Sequence, residues 1–121
     1  MQLFLEESRP EINTVGALNS LLGFAVDSLQ CETAGSVGFV QISNYTQGFP
    51  QGLLITWPGE IALSSTPLSL VTALAKKLST NILVEQYEGE DDWILISPGG
   101  FVENVAVEIL DDGITIEKKL S

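Results

Sequence analysis

The sequence predicts an α+β fold, a mainly antiparallel sheet of about five to seven strands packed with two helices. Three observations lead there. Two segments carry apolar residues at helical spacing. Much of the remainder is short runs of β-branched and aromatic residues, several alternating apolar with polar. In the second half, Gly-, Pro- and Asp-containing turns join these runs, and they are too short for a parallel crossover. With 121 residues and 45% hydrophobic content, one globular domain over residues 1–121 is expected.

The first half is read as follows. Residues 2–5 (QLFL) form a first strand. Ser8 is placed to cap a helix, and Pro10 suits its first turn. Ile12, Val15, Leu18, Leu21 and Leu22 recur as its apolar stripe, and Gly23 is a natural stop. Residues 24–32 are ambiguous; if residues 25–31 are extended, they form a hairpin with the strand at residues 37–43 (VGFVQIS). Residues 44–52 are a polar loop, and residues 53–57 a strand that ends at Pro58-Gly59 with Trp57 in the core.

The second half is more sharply punctuated. Ser65 or Thr66 caps a helix with Pro67 at its first position. Leu70, Val71, Leu74 and Leu78 give that helix one apolar stripe, and Lys76 and Lys77 suit its C-terminal end. Extended segments follow at residues 82–87, 93–97, 101–110 and 114–118. Val105, Val107 and Ile109 alternate with Asn104, Ala106 and Glu108, as in a strand with one face on a core. Pro98-Gly99-Gly100 and Asp111-Asp112-Gly113 mark tight turns, so the last strands form an antiparallel meander.

Charge narrows the function. Sixteen Asp and Glu face five Lys and Arg, a formal net charge of −11. A chain of that sign repels nucleic acid and anionic membrane and favours a basic protein partner, while solubility alone is the plainer explanation. Cys31 is the only cysteine, which suits a reducing, cytoplasmic setting. The first residues lack the pattern of a secretory signal, and no stretch has the ~20 apolar residues of a membrane span. The sequence holds no histidine, which removes the commonest general base and most zinc sites. It holds no dinucleotide or P-loop motif and no calcium-loop spacing, so neither cofactor nor metal is expected. The expectation is a protein that binds rather than an enzyme.

In a meander, alternate turns lie at the same end of the sheet. Residues 88–92 (EGEDD) form one turn and Asp111-Asp112 the next but one. Glu88, Glu90, Asp91, Asp92, Asp111 and Asp112 are therefore expected to project together, flanked by Tyr87 and Trp93 as aromatic anchors. From Leu78 through Glu117 there are ten acidic residues and no Lys or Arg. Such a field steers a basic partner; taken singly, each tip is equally well explained as a solvated turn, and the two rings as half-buried strand packing.

The helix segment PLSLVTALAKKL, then NILVEQY, EGEDD and WILISPGG, together resemble the bacterial immunity proteins, the antidotes to contact-dependent growth inhibition and other polymorphic toxins. The resemblance is one of type and spans roughly the C-terminal half. It implies a protein that binds a cognate basic toxin domain, often a nuclease, and covers its active site or substrate groove. An acidic secretion chaperone for an effector protein is the alternative, although this chain ends in a strand and two lysines rather than a helix. A DNA mimic would spread its carboxylates instead of gathering them in two tips.

Overall fold

The computed structural model describes residues 1–85 and 93–120. Strands β1 (Gln2–Leu5), β2 (Val26–Asp27), β3 (Gly38–Asn44), β4 (Gln47–Gly48), β5 (Gln51–Thr56), β6 (Ile82–Glu85), β7 (Trp93–Ile96), β8 (Val102–Leu110) and β9 (Gly113–Lys119) form one sheet. Its spatial order is β2-β3-β5-β1-β6-β7-β8-β9-β4. Helices α1 (Glu11–Leu21) and α2 (Pro67–Leu78) complete an α+β fold. Among the described residues the sheet has nine strands rather than five to seven, because two of them are two-residue strands, β2 in the ambiguous segment and β4 in the segment read as a polar loop. Only these two, among the described residues, pair in parallel, β2 with β3 and β4 with β9.

Helix α2 begins as its sequence requires. Thr66 Oγ1 accepts the Ser69 N–H at 3.2 Å, and Pro67 follows at a position where no N–H is needed. Its C-terminal carbonyls are met from across the chain: Arg9 donates from Nε to the Leu78 carbonyl at 2.6 Å and from a guanidinium nitrogen to the Ser79 carbonyl at 2.9 Å.

Helix α1 departs from expectation at its start. Ser8 does not cap it; Pro10 is the N-cap residue, with no side-chain cap. Arg9 precedes a proline, which disfavours helical backbone. Its N–H and carbonyl are moreover bonded to the side-chain amide of buried Gln51. Ile12 is also not in the core, being 72% exposed. The buried face is Thr14, Val15, Ala17 and Leu18, and at about 100° per residue Ile12 points well away from it. Thr14 is tolerated there because its hydroxyl donates to the Pro10 carbonyl.

The hairpin expected between residues 25–31 and β3 does not form, since β2 runs parallel to β3. Side chains of α1 take the backbone groups a hairpin would have used. Asn19 Oδ1 accepts the Val26 N–H, and the Glu11 carboxylate accepts the Gln30 N–H and the Ser28 hydroxyl.

Strict alternation in the central strands makes two cores, one on each face. Leu3, Leu5, Ile82, Ile94 and Ile96 face the helices and pack with Leu18, Leu70 and Leu74. Leu83 and Leu95 face the other way, where they meet Phe49, Val105 and Ile114, with Phe4, Trp93, Val107 and Ile116 around them. This second core exists because the sheet bends back on itself. Glu117 is an extra residue between the Ala106–Lys118 and Val107–Ile116 pairs, and such a bulge bends and twists a strand. The loop between β3 and β5 then docks on β9: Gln47 donates to the Asp112 carbonyl and Phe49 to the Ile114 carbonyl.

That docking needs two glycines. Gly48 has φ +65°, and a Cβ there would sit 2.0 Å from the Ile114 carbonyl oxygen. A Cβ on Gly113 would sit 2.0 Å from the Gln47 carbonyl oxygen. Gly48→Ala and Gly113→Ala are each expected to destabilise the fold by about 2 kcal/mol. Gly16→Ala is the control: no atom lies near its Cβ position in α1, and it is expected to stabilise by about 0.5–1 kcal/mol. Urea unfolding midpoints measure all three.

Candidate partner-binding cleft

Docking of the β3–β5 loop carries Tyr45 onto the sheet face opposite the helices. The ring needs room, which Gly52 provides: a Cβ there would lie 2.8 Å from the Tyr45 ring. Phe4 is the cross-strand partner of Gly52. It lies between two rings, 6.0 Å from Tyr45 and 6.1 Å from Trp93, at interplanar angles of 45° and 49°. These tilted pairs fall within the favourable range for aromatic contacts.

The three rings, with Gln2, Ile109, Gly113 and Ile114, line an open cleft of about 240 Å³. That is below the roughly 300–1,000 Å³ of most small-molecule sites. Its far wall is the β8–β9 hairpin, which runs five residues beyond Val105, the partner of Trp93, before it turns. Ile109 stands on that extension, 72% exposed.

Strands β6 and β8 run toward the cleft end, and β7 and β9 run away from it. Glu85, the cross-strand partner of Trp93, is exposed there, as are Asp111 and Asp112 in the β8–β9 turn. Arg9, Lys76 and Lys77 belong to the opposite end, whereas Lys119 pairs with Val105, itself the partner of Trp93, and so stands in the row of Trp93 and Glu85. Lys76 and Lys77 are in the last turn of α2, Arg9 is bonded to its C-terminus, and Lys118 and Lys119 finish β9. Arg9 and Lys119 are also paired, with Glu7 at 2.8 Å and Glu103 at 3.2 Å.

Of the residues singled out from sequence, Trp93 lines the cleft and is partly buried in the second core. Asp111 and Asp112 stand at its rim beside Gly113. Tyr87, Glu88, Glu90, Asp91 and Asp92 lie outside the described residues. Asp112 is not a spare charge. Its Oδ2 accepts the Thr46 hydroxyl at 2.6 Å and the Thr46 N–H at 2.9 Å, which helps fasten the docked loop. Those bonds, the hydroxyl first, hold its carboxyl below the ordinary 3.8 against a smaller opposing effect of desolvation.

Phe4, Tyr45 and Ile109 were not legible as site residues. Tyr45 sits in a polar loop, and only Gly52 at the start of β5 hinted at a close approach. Among the described residues no group of three or more His, Cys, Asp and Glu is arranged to hold a metal ion, and no helix is long and apolar enough to cross a membrane. No family model, curated protein or solved structure matches the chain.

The sign of the Asp112 effect gives a test. A carboxyl whose folded value is depressed adds stability above its unfolded value of 3.8 and loses it as pH falls through the folded value. Thr46→Val should therefore lower the thermal midpoint at about pH 7, and its gap from the unsubstituted chain should narrow toward about pH 3. A gap unchanged across that range contradicts the assignment.

Proposed function

We propose that this chain is an immunity protein that neutralises a cognate basic toxin domain by covering its active site or substrate groove. One observation carries the reading: an aromatic cleft opens at the end of the sheet where Glu85, Asp111 and Asp112 are exposed. Half-buried rings beside exposed carboxylates combine an anchoring surface with long-range steering. The cleft is small and its walls are mostly hydrocarbon and aromatic, which suits a protein surface better than a metabolite.

The test begins with capture of partners on the purified chain and their identification by mass spectrometry. The captured protein should be basic, should arrest growth when its toxin domain is expressed alone, and should be tolerated when this chain is co-expressed. A non-toxic effector that is degraded without this chain would replace the reading with a secretion chaperone, and an acidic partner would refute both.

For the captured complex, Glu85→Gln with Asp111→Asn should slow association roughly threefold to tenfold at low salt. The difference should shrink at about 500 mM salt, where the screening length falls to a few ångströms. Stopped-flow mixing measures both rates, and an unchanged association rate at low salt contradicts the role of this end.

A further inference from the structure

We infer that the cleft receives the side chain of a single arginine from the basic partner, an assignment that rests on the partner-binding reading above. The lining supplies what each part of that side chain needs. Ile109 and Ile114 offer hydrocarbon for its three-methylene stem. Phe4, Tyr45 and Trp93 offer ring faces for a planar guanidinium, which is weakly hydrated and stacks on aromatic rings. Glu85, exposed and directly across the strand pair from Trp93, stands where the fork of the guanidinium emerges. Asp111 adds a second exposed carboxylate at the turn beside Gly113. Of the chain's own cations, Arg9, Lys76 and Lys77 are at the other end of the sheet, and Lys119, two strands from Trp93 in the same row, is paired with Glu103 at 3.2 Å.

An aromatic or aliphatic side chain is the rival occupant. It would fill the same volume but leave the acidic rim unanswered. Lysine is a poorer fit, since its compact ammonium is strongly hydrated and does not stack. The cleft is open on one side, so an entering guanidinium keeps part of its water and the desolvation penalty of full burial does not arise.

The probes are three blocked tripeptides, acetyl-Gly-X-Gly-amide with X as Arg, Lys or Phe. Each is titrated to tens of millimolar, roughly the range for so few contacts, into the full chain labelled for methyl and indole NMR. The Arg peptide should shift the Ile109 and Ile114 methyls and the Trp93 indole along one saturable curve, leaving Ile12 and Leu29 unmoved. The Lys peptide should bind several-fold more weakly and the Phe peptide more weakly still. Glu85→Gln should weaken the Arg peptide several-fold. Equal or tighter binding of the Phe peptide would overturn the inference in favour of an apolar anchor, and no saturable shift at the cleft would overturn it outright. In the captured complex, Ile109→Trp should fill the cleft and raise the dissociation rate at least tenfold. An unchanged rate there would defeat the arginine assignment while leaving the immunity reading in place.

Discussion

Two stretches of backbone meet where neither can carry a side chain. Gly48 lies against the Ile114 carbonyl and Gly113 against the Gln47 carbonyl, so β4 and β9 approach as bare main chain. Everything on the face away from the helices depends on that contact. It holds the β3–β5 loop down, buries Phe49 against Ile114, and turns what would be an exposed sheet face into a second core. The Glu117 bulge and the length of β8 bring β9 within reach, and Asp112 fastens the junction through Thr46.

The same contact makes the cleft. Tyr45 is fixed two residues before β4, and with Gly52 beneath it the ring lies over the sheet beside Phe4. Trp93 closes the other side of Phe4 from β7. A sheet that bends to bury one part of a face leaves the neighbouring part concave, and here that concavity is aromatic. Topology then sorts charge around it. Alternating strand directions send Glu85 and the β8–β9 turn to one end and the α2 C-terminus to the other, while Lys119 ends β9 level with Glu85 and is paired with Glu103.

What could be read from the sequence was whatever local chemistry decides. Thr66-Pro67 starts α2, apolar runs mark β6 and β7, alternation marks β8 and β9, and Gly-, Pro- and Asp-containing turns punctuate them. What could not be read was decided by distant partners. Ser8 looked like a cap, yet Gln51, far along the chain, holds the preceding turn extended. Ile12 fitted an apolar period, but a satisfied threonine took the buried face instead. Residues 25–31 looked able to pair as a hairpin, and Asn19 and Glu11 of α1 took their backbone groups. In the site, Trp93, Asp111 and Asp112 were visible as charge and aromaticity near turns. Phe4, Tyr45 and Ile109 join them only through the docking of β4, whose two residues carry no strand signal of their own.

Hydrogen exchange at individual amides tests that docking most directly. If the β3–β5 loop is held on β9, the Gln47 and Phe49 amides, which donate to the Asp112 and Ile114 carbonyls, should be protected to the degree seen in β9 itself. They should lose that protection together in Gly48→Ala. Exchange of both amides at the rate of an open loop, with β3, β5 and β9 still protected, would mean that the loop is not docked, and neither the second core nor the cleft would stand as described.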